Sequence, residues 1–284
     1  MTTPADPTEA LAERALDEDA PGGDLTTERT IPVEARCTAE LRAKADGVLA
    51  GVDATVTVFD LAAAQDGTEL SIDRKLTDGS PVRPGEVVLV VRGSARTVLR
   101  AERTAINLLA HLSGVATLTR RFVDAAAPAT VLCTRKTLPG LRHLERSAVA
   151  AGGGFLHRAS LTDAILIKDN HLRVAGGITR AVAAARAGDA QAPPIEVEVE
   201  TLEQLDEALA TGAERILLDN PGPDLVREAV ARVGDPQRLE VSGGVTLESV
   251  GALVEAGARI VSVGALTHSA PSLDLSMEVT SVDG

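Results

Sequence analysis

Only four of the 28 basic residues in this 284-residue chain are lysines, and two of those four, Lys136 and Lys168, stand where an apolar run stops. VLCTRK ends on Arg135 and Lys136, while ILIKDNH sets Lys168 directly behind Ile165, Leu166 and Ile167. A lysine is seldom buried unless paired, and arginine is the default cation of this chain. A lysine delivered by the end of a buried strand points to an anion held there. The plainer reading is a structural ion pair, Lys168 with Asp169 or Lys136 with an acid. Asp169, Asn170 and His171 read as a supporting shell, and a histidine such as His171 or His268 beside polar neighbours is more often hydrogen-bonded structure than a proton carrier.

Further apolar runs end in chemistry of a different kind. PIEVEVE carries Glu196, Glu198 and Glu200, ERILLDN carries Asp219 and Asn220, RLEVSGG ends on Ser242, Gly243 and Gly244, and RIVSVGALTH contains Gly264 and Ala265. Alternation with valine puts the three glutamates on one side of their strand, where they repel one another unless cations or a metal compensate. Cationic ends come first, acidic ends next, and small glycine-rich ends last. That order suits a substrate with several negative charges, a sugar or metal held by carboxylates, and a phosphate held by backbone N–H groups. Taken alone, the glycines equally fit a strand-to-helix turn at positive φ. The loop AAGGGFLHRASLTD, with His157 and Arg158, reads as an anion cradle because it lies beside two cationic strand ends.

The elements that must position these residues follow from the same runs. Apolar segments alternating with amphipathic ones, such as LEQLDEALATGA and PDLVREAVARVG, are the pattern of repeated β/α units around a parallel sheet. Six units fit between residues 130 and 268, too little chain for the eight of a complete barrel at about 250 residues. The expectation is an α/β protein with an open, incomplete β/α barrel whose strand C-terminal ends carry the site. The preceding half reads as a small α/β layer: a loose start over the first dozen residues, a helix over Glu9 to Leu16, a loop at LDEDAPGGDLTT, strands within 36–50 and 86–98 and a turn at PVRPG. In RAERTAINLLAHLSG one helical face is apolar, Arg103 decorates its flank, and Gly114 reads as its stop. The expected division is an N-terminal α/β sandwich domain over 1–112, joined by 269–284, and a barrel over 113–268.

A net charge of −13 argues against nucleic-acid binding, since phosphate backbones demand a basic face. Tryptophan and tyrosine are absent, which removes base-stacking platforms. Cys37 and Cys133 lie far apart without metal-ligand spacing. The opening residues lack signal-peptide order, and no apolar stretch approaches the roughly 20 residues of a bilayer span. The reading is a cytoplasmic protein without disulfides, structural zinc or membrane association.

The segment CTRKTLPGLRHLERSAVAAGGGFLHRASLTDAILIKDNH resembles the central signature of the quinolinate phosphoribosyltransferase family. The likeness extends over nearly the whole chain, through LDEDAPGGDLTT, AERTAINLLAHLSGVATLT, EVEVE, ILLDN, VSGG and VGALTHSAPSLDLS. The elements TRKT, PGLR, GGGxxHR and KDNH in this order are highly specific. The resemblance implies an α/β sandwich domain, an open barrel and a homodimer. It implies the conversion of quinolinate and phosphoribosyl pyrophosphate to nicotinate mononucleotide, pyrophosphate and carbon dioxide, with Mg2+, in NAD biosynthesis. By position in the motifs, Thr134, Arg135, Lys136, His157, Arg158 and Lys168 should grip the substrate anions, with Arg103 reaching the partner subunit's site. Glu198 and Asp219 should stand near ribose and magnesium, and Ser242, Gly243, Gly244, Val263, Gly264 and Ala265 in phosphate-binding loops. Lys136, Lys168, Glu198 and Asp219 are the implied catalytic set.

Leu156 stands where many members have Asn, and Ser160 where Gly is frequent. The alternative within the fold is a paralogue acting on another pyridine or related acid, of the molybdenum-transport-associated type. The alternative outside enzymes is a ligand-binding barrel without turnover, which the joint retention of Arg103, Arg135, Lys136, Arg158, Lys168, Glu198 and Asp219 opposes.

Overall fold

Cys37, Ala39, Leu41 and Ala43, the alternate residues of RCTAELRA, are all buried in the structure, a computed structural model describing residues 6–187 and 193–283. The loose start read over the first dozen residues falls partly on 1–5, which lie outside the described residues. The chain runs through α1 (Pro7–Asp19), α2 (Leu25–Thr30), β1 (Arg36–Ala43), β2 (Gly47–Val48), α3 (Val52–Asp66), β3 (Leu70–Arg74), β4 (Pro81–Val82), β5 (Val87–Ser94) and α4 (Ala95–Ala126). It continues through β6 (Thr130–Leu132), α5 (Arg142–Ala151), β7 (Ile165–Ile167), α6 (Asp169–Ala175), α7 (Ile178–Ala187), β8 (Ile195–Val199) and α8 (Leu202–Ala210). Then come β9 (Arg215–Asp219), α9 (Pro223–Val233), β10 (Leu239–Ser242), α10 (Leu247–Glu255), β11 (Ile260–Ser262), α11 (Ala265–His268) and β12 (Leu275–Asp283). No helix among the described residues is long and apolar enough to cross a membrane. Both cysteines are buried.

Two units divide the chain. The first comprises residues up to 118, 139–153 and 270 onward; the second comprises 119–138 and 154–269. In the first unit, β12, β1, β5 and β3 form an antiparallel sheet in that order, and its apolar face shares one core with Phe59 and Val58 of α3 and Leu109 of α4. The expected loop at LDEDAPGGDLTT is shorter than its glycines suggest. Helix α1 persists to Asp19, and Asp24 caps α2 by accepting from the N–H groups of Thr26 and Thr27.

Gly114 corrects another expectation, because α4 runs through it to Ala126. A Cβ at this position would lie 2.1 Å from the carbonyl oxygen of Pro271, so the glycine admits a close backbone approach and does not end the helix. Gly114→Ala is therefore expected to destabilise the protein by about 1–3 kcal/mol despite alanine's better helix propensity. Thermal denaturation checks this; an unchanged or raised Tm would mean that the 270–272 segment yields freely.

The second unit is a six-stranded parallel sheet in the order β6, β11, β10, β9, β8, β7. Its edges, β6 and β7, are not neighbours in this order, so the barrel is open, as the unit count predicts. Ile195, Val197 and Val199, and likewise Ile216 and Leu218, are almost wholly buried. The residues between them, Glu198 on β8 and Leu217 and Asp219 on β9, line a shared cavity. Period-2 alternation thus sends one set of each strand into apolar packing and the other toward the barrel interior. Helices α8 and α10 start on threonines, Thr201 and Thr246, whose side chains accept from N–H groups three residues on.

Candidate active site

At the C-terminal strand ends a cavity of about 260 Å³ gathers most of the residues singled out above. Its cationic wall comes from Arg135 and Lys136 after β6, Arg158 before β7, and Lys168 at the end of β7. Its acidic wall comes from Glu198 on β8 and Asp219 on β9, with Thr134, Ser242 and Ser262 also on the lining. Adjacent strands therefore carry opposite charge to one rim.

Local geometry fixes each group. Lys168 Nζ lies 3.2 Å from Glu198 Oε2, and the lysine side chain is 43% exposed against 13% for the glutamate. Its own backbone N–H donates to His171 Nδ1 at 2.9 Å as α6 begins, which gives His171 a supporting part. Asp169 and Asn170 both engage Arg173 along α6. Lys136 N–H donates to Thr134 Oγ1 at 3.1 Å, and Thr267 Oγ1 donates to the Lys136 carbonyl at 2.8 Å. A Cβ on Gly264 would lie 3.1 Å from Lys136 Cδ, so that glycine leaves room for the lysine stem. Arg158 Nη1 donates to the Ala164 carbonyl at 3.0 Å. Burial first, and then the charge of Arg135, hold the Arg158 pKa below its ordinary value. Both guanidinium groups line the cavity, and like charges so placed favour a bound anion.

His157 has surroundings that the sequence does not announce. Its Nε2 lies 3.5 Å from Glu196 Oε2 and 3.4 Å from Glu240 Oε2, and both glutamates are buried. Glu196 foremost, then Glu240, raise the His157 pKa from 6.5 to about 9. Its Nδ1, however, accepts the backbone N–H of Arg158 at 2.8 Å, and an N–H cannot point at a second N–H. The hydrogen-bond geometry decides for the neutral ring with its hydrogen on Nε2, because the 3.4–3.5 Å separations are long for charge-assisted pairs. In either charge state Nε2 carries a hydrogen toward the acids. Burial pushes the Glu196 pKa up, and the neighbouring Glu240 adds to this. Among the described residues, His157, Glu196 and Glu240 are the one group of three metal-ligand types whose donor atoms lie within 4.8 Å. A ring nitrogen that bears hydrogen offers no lone pair, so in this tautomer Nε2 faces the acids as a donor and not as a metal ligand.

Glycines at the end of β10 have a definite steric purpose. Gly243 sits at φ +86, and a Cβ there would lie 2.6 Å from Asp219 Oδ1 and 2.5 Å from Asn220 Oδ1. Asn220, itself at φ 51, donates its N–H to the Ser242 carbonyl and its side-chain amide to Asp219 Oδ2. The glycine keeps this carboxylate in place. Gly243→Ala is expected to cost about 1–2 kcal/mol of stability from the left-handed backbone alone. Displacement of Asp219 should also lower kcat/KM on the order of tenfold. Urea denaturation and steady-state kinetics check both, and wild-type values would mean the turn relaxes.

Other expected residues stand apart from this lining. Arg103 is exposed on α4 in the first unit. Val263 is buried and its N–H donates to the Leu132 carbonyl in the sheet; Gly264 and Ala265 lie at the start of α11. Glu200, one residue past the end of β8, is exposed, while Glu196 on that strand turns to His157. In the glycine loop after α5, Gly152 and Gly153 donate their N–H groups to the Ala148 and Ala150 carbonyls and so close that helix, while His157 and Arg158 further along the loop line the cavity. Leu156 lines a second cavity, about 630 Å³, bordered by the strand beginnings Thr130, Ile165, Ile195 and Arg215. That cavity is the larger, but it holds neither lysine nor aspartate. Ser160 belongs to a loop gathered by Asp163, which accepts from the N–H groups of Ala159 and Ser160. Both departures from the family pattern thus lie off the anion-lined cavity. Sequence reading missed Glu240, Ser262 and the apolar Leu166 and Leu217. The signal was present for three of them, since Glu240, Leu166 and Leu217 share strand parity with Ser242, Lys168 and Asp219.

Comparison with known proteins fits this arrangement. The sequence models of the quinolinate phosphoribosyl transferase N-terminal and C-terminal domains match residues 24–113 and 115–278. The chain is 43% identical over 265 residues to a probable nicotinate-nucleotide pyrophosphorylase [carboxylating] of Bacillus subtilis, covering 93% of this chain and 90% of that protein. It is likewise 43% identical over 272 residues to the nicotinate-nucleotide pyrophosphorylase [carboxylating] of Mycobacterium leprae, covering 94% and 95%. Among solved structures, NadC from Streptococcus pyogenes superposes with a TM-score of 0.89 at 35% identity over 99% of both chains. With both domain models matched in order and relatives aligned nearly end to end, the chain belongs to the quinolinate phosphoribosyltransferase family.

Proposed function

We propose that this protein transfers the phosphoribosyl group of phosphoribosyl pyrophosphate to quinolinate, yielding nicotinate mononucleotide, pyrophosphate and carbon dioxide. The observation that carries the reading is one cavity lined by Arg135, Lys136, Arg158 and Lys168 together with Glu198 and Asp219. Quinolinate brings two adjacent carboxylates and its co-substrate a phosphate and a pyrophosphate. A concentrated cationic wall answers that charge within a chain of net charge −13. Leu166 and Leu217 give the pyridine ring an apolar surface between the charged groups.

The residues divide the chemistry. Arg135, Arg158 and Lys168 hold the dicarboxylate so that the ring nitrogen faces the anomeric carbon. Glu198 and Asp219 hold ribose hydroxyls and stabilise positive charge as the anomeric C–O bond breaks and its electron pair leaves with pyrophosphate. The ring nitrogen then bonds to that carbon and becomes cationic. The bond to the 2-carboxylate breaks next: its electron pair stays on the ring beside the cationic nitrogen, carbon dioxide leaves, and the ring carbon takes a proton from solvent. The protein contributes placement, charge and exclusion of water, with no covalent nucleophile.

The two partly exposed carboxylates fit magnesium. They stand on neighbouring strands and offer oxygen donors without a closed cage, which suits an ion that keeps waters and is shared with substrate phosphates. Glu198 and Asp219 would hold it, and when bound it neutralises charge on the departing pyrophosphate. Excess chelator is expected to abolish turnover and added Mg2+ to restore it; turnover persisting in chelator would remove the metal from the scheme. We place Arg103 in the site of a partner subunit within a homodimer, because it is an exposed arginine of the matching motif outside the barrel unit's own lining.

Purified protein offered quinolinate and nicotinate separately, each with phosphoribosyl pyrophosphate and Mg2+, tests the assignment. Nicotinate mononucleotide and carbon dioxide should form from quinolinate. Turnover with another pyridine acid only would favour the paralogue, and tight binding without turnover the binding barrel.

A further inference from the structure

The His157 cluster is costly and unexplained by the reaction. Glu240 is 2% exposed and Glu196 6% exposed. Glu196 Oε1 and both oxygens of Glu240 lack a hydrogen bond of good geometry, so the looser approach to His157 Nε2 is what the two acids share. Buried acids held this way are poor stabilisers, since well-packed apolar residues of similar volume often serve stability as well or better. Their geometry instead ties the barrel interior to the cationic wall. They rise from β8 and β10, on either side of β9, and converge on one ring nitrogen; the other ring nitrogen accepts the N–H of Arg158. The Arg158 guanidinium is anchored in turn on the Ala164 carbonyl and enters the anion-lined cavity.

We propose that Glu196 and Glu240 are positioning residues: a buried two-carboxylate clamp that orients the His157 ring and, through Nδ1, fixes the backbone of Arg158 so that its guanidinium meets the substrate carboxylates. This rests on the reading of the cavity as the dicarboxylate site. Charged groups around the ring are Glu196, Glu240, Arg158, Arg135 beside Arg158, and Arg215 near Glu196.

The test is a kinetic cycle on the full-length protein. E240M and E196M, of similar volume but without an acceptor oxygen, should each raise KM for quinolinate by about tenfold, leave KM for phosphoribosyl pyrophosphate within about twofold, and not lower Tm. In an H157Q background the same substitutions should add no further change, because their effect passes through the ring. Unchanged KM for quinolinate in E240M and E196M overturns the clamp, and so does an equal effect with and without His157. Should E240M fail to fold, Glu240→Leu and E196M carry the same comparison. Arg158→Ala separates the two levels: raised KM there with unaffected glutamate variants overturns the clamp alone. Unchanged KM in Arg158→Ala overturns the site reading and the clamp with it.

Discussion

Replacing Lys168 by alanine is expected to lower kcat/KM about 10²- to 10³-fold, the order of loss expected when a preorganised cation that holds and orients a substrate carboxylate is removed. The same substitution should change folding stability by less than about 1 kcal/mol, since a half-exposed ion pair contributes little. The side chain is 43% exposed, and its ion-pair partner is Glu198 at 3.2 Å. Strand β7 retains Leu166 and Ile167, and the turn into α6 is held by a backbone N–H to His171 that alanine preserves. Steady-state kinetics and urea denaturation on one preparation decide the matter. Loss of fold with full activity per folded molecule would make Lys168 a structural ion-pair residue.

Arg103→Ala should by itself lower kcat/KM for quinolinate about 10²-fold, because removing an arginine from a carboxylate leaves the anion short of its strongest hydrogen bonds. The larger effect is its reversal. Mixed in equal amounts with Lys168→Ala and allowed to exchange subunits, the two inactive proteins should recover about a quarter of wild-type activity. Half the dimers would be mixed, and each would hold one site with both cations and one with neither. Native mass spectrometry verifies exchange. Exchange without recovery would place Arg103 outside the site it is proposed to complete.

Much of the barrel could be read from residues alone. Six apolar runs, each followed by an amphipathic segment, required a parallel sheet of six strands. Such runs are buried on both faces and leave few other solutions. Strand ends then located Arg135, Lys136, Lys168, Glu198, Asp219 and Ser242, and all six line one cavity. Local signals served worse where a glycine had a distant partner. Gly114 looked like a helix stop, although its constraint is Pro271 more than 150 positions away; Gly152 and Gly153 looked like an anion cradle, although they close α5.

What the sequence by itself determined was therefore the period: which residues belong to strands, which side of each strand they share, and which kinds of charge the ends deliver. Only the tertiary structure decided the partners. It turned Glu196 toward His157 and Glu198 toward Lys168, although one strand carries both with the same parity. It also brought Glu240, which reads as one acid in a packing strand, to the same ring nitrogen as Glu196. The reason is geometric. Alternation along a strand is a property of the local backbone, but depth in a barrel and the neighbour met across it depend on strand order and register, which non-local pairing sets.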